Sequence, residues 1–279
     1  MSDTMKLSWH LMLFLLCLLC LPCHQEEAPA PAKPASEGGA LYRVAILVPS
    51  SPWMHPELKR MIMENLRRVP RANPKLVLRI FIDAGPLQSL PDESRPLSKT
   101  ARLRNRMLSS INLHDYDYIM WIDADIVEFP FDLPSKLIFA NPTGATAPLV
   151  LIEEPGPMGP NQFYDTTAFT LKGTSGLYPN LNIPYVEGRS VQRLPPYVPY
   201  RKEGEDLVEM DGIGTVYVLP VEVFTVGNAS YVDHPRLTEH WSVIEKVHEM
   251  GRKVLMHLEV QVRHANLPLY GSDWHHNSN

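Results

Sequence analysis

Two carboxylates two residues apart, Asp123 and Asp125, stand where the apolar run Tyr116-Asp-Tyr-Ile-Met-Trp-Ile122 gives out. If that run is a buried strand of a parallel sheet, both carboxylates sit at its carboxyl edge, where α/β sheets bind ligands. Hard oxygen donors so placed can converge on one divalent cation, and such a cation neutralises a diphosphate leaving group as its charge develops. The alternative is that both residues only cap the following turn, a common use of aspartate.

Other residues of suitable chemistry are spread along the chain. The guanidinium of Arg104 can grip phosphate through a forked pair of hydrogen bonds, and the amide of Asn105 can read a ribose or a base; both also suit the exposed face of a helix whose apolar face is Leu97, Ala101, Leu108 and Ile111. Asp211 precedes Gly212 and Gly214, where backbone can approach a ligand closely, so its carboxylate can orient or deprotonate an acceptor hydroxyl; a plain turn is the rival. Glu239 stands where a helix begins and suits either a site or the helix dipole. His264 is one of 11 histidines, and by itself would count as an ordinary surface residue.

These residues need elements to hold them. Val44-Ala-Ile-Leu-Val48, closed by Pro49, reads as a strand covered on both faces. Apolar residues at 58, 61, 62, 66 and 69 mark an amphipathic helix. Leu76 to Asp83 reads as a second strand, a helix opens at Ser98 as its N-cap, and the run ending at Ile122 is the third strand. Strands alternating with helices imply an α/β fold with a mostly parallel sheet. Further on, Ala147 to Ile152 and Thr215 to Leu219 are strand-like, and Leu237 to Gly251 is a helix with a C-cap glycine. Lys253 to Val262 returns to strand. Residues 153–205 are rich in proline and glycine and suit substrate loops.

Four segments carry a resemblance. Ile119-Met-Trp-Ile-Asp-Ala-Asp-Ile126 with Phe129-Pro130 looks like the metal-binding segment of nucleotide-sugar-dependent glycosyltransferases of the GT-A fold. Ala101-Arg-Leu-Arg-Asn-Arg-Met-Leu108 resembles the Arg-Asn-x-Leu helix of the fungal Anp1/Mnn9/Van1 mannosyltransferases, and Met210-Asp-Gly-Ile-Gly-Thr215 their Asp-Gly-Val-Gly-Gly segment. Thr238-Glu239, leading by a helix to Val262-Arg-His264, is similar to their Glu-Thr-Glu-Gly helix and the strand ending in histidine. The resemblance spans residues 41–266. It implies a twisted GT-A-like sheet flanked by helices, and Mn²⁺ held by Asp123, Asp125 and His264 with the donor diphosphate. Pro49 and Asp83, which end the first two strands, count with Arg104, Asn105 and Asp123 as candidate cofactor-binding residues, and Asp211 and Glu239 as candidate catalytic ones. The implied reaction moves mannose from GDP-mannose onto a mannose-containing glycan acceptor with retention; the implied partners include related transferases in a hetero-oligomer. Departures fall on the acceptor side: Thr215 replaces a glycine, Leu237 and His240 replace parts of Glu-Thr-Glu-Gly, and near Tyr164-Asp165 stands Phe169 where the family has tryptophan. A nucleotide-sugar hydrolase and a catalytically silent glycan-binding or scaffold subunit are the alternatives.

The remaining features concern setting. With 279 residues, 44% of them apolar, the chain can bury a core of ordinary size, and 27 prolines against 15 glycines suit a loop-rich globule. The formal charge of −5 comes from scattered residues, with none of the basic stripe that holds nucleic acid. Leu7 to Leu21 has the size of a signal-peptide core or a short signal anchor, and Cys17, Cys20 and Cys23 lie in or just after it. The expected organisation is a signal segment over 1–24, a Pro/Ala-rich stem over 25–40, a catalytic domain over 41–270 and a polar tail over 271–279. That places the domain in the lumen of the ER or Golgi, membrane-attached, or else secreted. The Asn228-Ala-Ser230 sequon fits a lumenal domain.

Overall fold

The computed structural model describes residues 42–51, 54–83, 96–154, 164, 168–173, 185–186, 189–190, 206–232 and 238–266. The signal segment with its cysteines, the stem, the tail and most of the 153–205 stretch lie outside these residues. Among the described residues no helix is long and apolar enough to cross a membrane.

Strand β1 (Tyr42–Pro49) pairs in parallel with β2 (Leu76–Asp83) on one side and β3 (Tyr118–Ile122) on the other. β10 (Val216–Pro220) lies antiparallel between β3 and β5 (Ala145–Ile152), and β11 (Val254–His264) runs parallel to β5. Beyond β11 come β9 (Leu207–Gly212) and β6 (Thr170–Leu171), both in antiparallel pairings, while β4 (Ile126–Glu128) caps the end of β11. Short strands β7 (Tyr185–Val186) and β8 (Arg189–Ser190) form a separate pair.

The α/β class expected from the alternation of strands and helices is the one observed, with a parallel frame of β2, β1, β3, β5 and β11. The sheet is more mixed than the alternation suggests, because antiparallel β10 is inserted between the two parallel sets. Every residue of β3, β5 and β10 is buried, which explains why these segments are continuous apolar runs: both sheet faces are covered. β11 alternates buried and exposed residues and carries an irregularity between His257 and Gln261.

Helix α1 (Pro56–Ala72) buries Leu58, Ile62, Leu66 and Val69, as its periodicity requires, and Asn65 donates to the Val127 carbonyl, tying it to β4. Helix α2 (Pro96–Ser109) opens two residues before Ser98, with proline in the first turn, where its missing N–H costs nothing. Helix α3 (Leu133–Ala140) packs on β5 and β10, and the short α4 (Glu222–Thr225) follows β10. Helix α5 (His240–Glu249) starts three residues later than the sequence suggests. It ends into Gly251 at φ +68°, the left-handed position that favours glycine.

Candidate active site

The carboxyl ends of β1, β2 and β3 share one edge. Pro49 and Asp83 are register partners, and the Ser50 N–H donates to the Asp83 carbonyl at 2.9 Å. Asp123 follows β3 directly; its N–H donates to the Thr215 carbonyl at 3.1 Å, and its own carbonyl accepts from Ile126 in the tight turn that carries Asp125. Thr215 has φ +59°, in the left-handed region where a β-branched residue is strained.

Each carboxylate of the pair has one basic partner. Arg104 Nη2 donates to Asp123 Oδ1 at 2.7 Å, and His264 Nε2 donates to Asp125 Oδ2 at 3.0 Å. The second contact joins residues 139 positions apart because β4 pairs with the end of β11, with Ala265 N–H donating to the Asp125 carbonyl at 2.7 Å. His264 Nδ1 also lies 2.9 Å from the Ala265 carbonyl, so each ring nitrogen faces an oxygen acceptor, an arrangement that favours the charged ring. Tyr164 stacks on it at 3.5 Å between centroids, fixing its plane.

The electrostatics follow. Burial pushes the Asp123 carboxyl up to about 6; Arg104 opposes the shift, while Asp125 and Glu239 add to it. Asp125 is held below the ordinary carboxylate range, since His264 outweighs the effect of burial. His264 moves up: burial disfavours its charge, but Asp125 and the Ala265 carbonyl more than offset that.

Arg104 does not lie on an exposed helix face. Its side chain is 1% exposed, wedged 4.9 Å from the Trp121 ring centre and 5.8 Å from that of Tyr231. Nε donates to Glu239 Oε1 at 3.1 Å, and Nη2 also lies 3.4 Å from His240 Nε2. Burial works against the guanidinium charge, but the carboxylates of Asp123 and Glu239 hold its pKa above the ordinary arginine value. Two residues expected at the donor or the reacting atoms are thus placed inside the protein. Arg104 holds Asp123, and Glu239, 4% exposed, has almost no surface to offer a substrate.

Asn105 also faces inward: its amide donates to the Tyr231 carbonyl at 2.7 Å and accepts from the Tyr231 N–H at 2.9 Å. Asp211 accepts from the Gly173 N–H at 2.7 Å, at the link between β6 and β9. Because Glu209 pairs with Leu255, Asp211 lies level with the start of β11, whereas His264 ends that strand. Asp83 accepts from Arg106 Nε at 2.8 Å. The structure therefore brings Asp123, Asp125, His264, Arg104 and Glu239 together, and places Asn105 and Asp211 in other contacts.

Three residues that sequence reasoning passed over complete the cluster. His240 Nδ1 lies 3.1 Å from the Tyr217 hydroxyl, which lies 2.6 Å from that of Tyr231. A Cβ on Gly214 would come within 2.8 Å of the His240 ring, so this glycine is what lets α5 bring His240 against β10. The glycine was visible in the sequence; what it makes room for was not.

A divalent cation can be tested against these donors. Asp125 Oδ1 is buried and has no hydrogen-bond partner among the described residues. Among the described residues, Arg104 on Oδ1 is the partner of the Asp123 side chain. Each carboxylate thus commits one oxygen and keeps one, and oxygen donors of this kind fit Mn²⁺. The third expected ligand does not join them: His264 turns its Nε2–H to Asp125, and among the described residues no three His, Cys, Asp or Glu side chains surround a common point. What this chain offers a cation is the uncommitted oxygens of the Asp123 and Asp125 carboxylates, without His264.

No family model and no curated protein sequence matches this chain. Among solved structures, GalNAc-T7 with UDP, GalNAc and Mn²⁺ aligns over 81% of this chain and 43% of its own length, at 13% identity and a TM-score of 0.43. Residues 1–349 of S. aureus TarS with UDP-GlcNAc align over 80% and 58%, at 9% identity and a TM-score of 0.42. A 4-diphosphocytidyl-2C-methyl-D-erythritol synthase aligns over 77% and 89%, at 12% identity and a TM-score of 0.34. This chain spans about half the length of the first two.

Proposed function

We propose that this chain is a metal-dependent glycosyltransferase that binds a nucleotide sugar at the carboxyl edge of β1, β2 and β3. The observation that carries the reading is the pairing at the Asp123-Ala-Asp125 turn: each carboxylate is braced on one oxygen by a basic side chain and keeps the other for a cation. Mn²⁺ bound there would supply positive charge to the departing diphosphate. The chain's own residues have separate tasks. Arg104 fixes the rotamer of Asp123, and His264, flattened against Tyr164, fixes that of Asp125. Asp83 ends β2, two strands from Asp123 along the same edge, and would meet a nucleotide that extended along it.

The motif order of the mannosyltransferase resemblance supports GDP-mannose as donor and a mannose-containing glycan as acceptor, with retention of configuration. Buried Glu239 is no candidate for a strong in-line base, which suits a retaining reaction. The apolar segment before the stem supports attachment to an ER or Golgi membrane with the domain in the lumen. The test is turnover by the full chain of GDP-mannose with an α-mannoside acceptor, with and without Mn²⁺. Mn²⁺-dependent transfer to the acceptor, lost in Asp125→Asn, is expected. Release of free mannose regardless of acceptor would identify a hydrolase, and no turnover with any nucleotide sugar a silent subunit.

A further inference from the structure

Arg104 presents an electrostatic difficulty for a cation site. A guanidinium hydrogen-bonded to a metal-binding carboxylate repels the metal, and at an effective dielectric of about 20 unit charges about 5 Å apart interact by several kcal/mol. The structure contains a counter to it. Glu239, carried to the start of α5, accepts from Arg104 Nε at 3.1 Å in a pocket that leaves the two side chains 4% and 1% exposed. Among the described residues, no other group in contact with Arg104 takes this part. His240 Nε2 is approached by Arg104 Nη2 at 3.4 Å and by the Thr215 N–H at 3.5 Å, and lies 3.6 Å from Glu239 Oε1, so its ring carries no negative charge to set against Arg104. The hydroxyls of Tyr217 and Tyr231 are buried and stay protonated. Arg104 thus carries one positive charge against two carboxylates, one internal and one at the site.

We propose that Glu239 sets the charge of the cation site: by neutralising Arg104 it lets that side chain position Asp123 without cancelling the negative charge a divalent cation needs. This inference rests on the metal-dependent reading above. It assigns Glu239 to a positioning and charge-setting role through Arg104, with no contact to substrate. A purely structural ion pair makes a different prediction, because replacing both members of a buried pair by neutral side chains can be nearly harmless to folding and is silent on metal affinity.

The experiment measures Mn²⁺ affinity of the full chain by electron paramagnetic resonance of free Mn²⁺, with unfolding in EDTA followed in parallel. Glu239→Gln is expected to weaken Mn²⁺ binding on the order of 10- to 100-fold, leaving Arg104 uncompensated beside Asp123. Arg104→Met combined with Glu239→Gln removes both charges and is expected to bind Mn²⁺ more tightly than Glu239→Gln alone, yet more weakly than wild type, because Asp123 loses the side chain that braces it. Glu239→Asp keeps the charge and should stay near wild type. A folded Glu239→Gln chain binding Mn²⁺ as tightly as wild type overturns the proposal. So does a double variant that binds no better than Glu239→Gln. Should the single variant not fold, Glu239→Asp decides: loss of Mn²⁺ binding there, with the fold intact, overturns it. A wild-type chain that binds no Mn²⁺ sinks the metal-dependent reading itself, and is told apart because it fails before any substitution.

Discussion

Asn105 separates two accounts of helix α2. In the structure its amide clamps both backbone groups of Tyr231, at 2.7 Å and 2.9 Å. Tyr231 is 1% exposed, stands edge-on to Trp121 at 5.4 Å and shares a hydroxyl contact with Tyr217. Asn105→Ala leaves an N–H and a carbonyl of a buried residue without partners. Each such group costs roughly 1–3 kcal/mol when fully buried. Asn105 is only part-buried, so water can enter in its place, and about 2 kcal/mol for the pair is the expected loss. For a domain of this size that lowers Tm by about 4–8 °C. Thermal and urea unfolding of the full chain in EDTA measure it, with Mn²⁺ affinity as a second readout, expected to fall only a few-fold as the Arg104 pocket loosens. An unchanged Tm together with lost nucleotide binding would refute the reasoning and place the amide at the donor, where the sequence resemblance alone puts it.

Further outcomes follow from the same geometry. Gly214→Ala puts a Cβ 2.5 Å from that of Ala168 and 2.8 Å from the His240 ring, so it should destabilise the chain by about 1–3 kcal/mol and weaken Mn²⁺ binding, read by unfolding and titration together. Asp125→Asn should abolish Mn²⁺ binding while far-ultraviolet circular dichroism stays unchanged; retained affinity would mean the cation is held elsewhere. The His264–Asp125 pair should stabilise the metal-free chain within a defined pH window. His264 is raised in the fold, so its contribution is complete below its unfolded value of about 6.5 and fades as pH rises through the folded one. Asp125 is lowered, so its contribution is present above about 3.9 and is lost on acidification. The stability gap between wild type and His264→Phe, which keeps the stacking on Tyr164, should therefore be widest near pH 5–6 and narrow as pH rises above the unfolded histidine value. A gap independent of pH would contradict the ion pair.

Much of the frame was legible because burial on both faces writes itself as uninterrupted apolar runs: β3, β5 and β10 are all of this kind, and the acidic turn after β3 stands out against them. The direction of β10 was not legible, since a fully buried strand has the same composition whichever way it runs. Arg104 and Asn105 were found by motif but misplaced: helical spacing shows that a residue lies off the main apolar stripe, but not that an aromatic pair from β3 and a distant loop closes over it. The contact of Asp125 with His264 depends on the β4 and β11 pairing, and motif order alone pointed to it. His240 and Tyr217 left no signal beyond Gly214, because a buried histidine and a strand tyrosine look alike whether or not they touch.

The central claim is that the Asp123-Ala-Asp125 turn holds a cation that in turn holds a nucleoside diphosphate. Calorimetric titration of the full chain with GDP and with UDP, each with and without Mn²⁺, addresses it most directly. The account predicts nucleotide binding that requires Mn²⁺ and disappears in Asp125→Asn. Equal affinity with and without the metal, in wild type and variant alike, would contradict it.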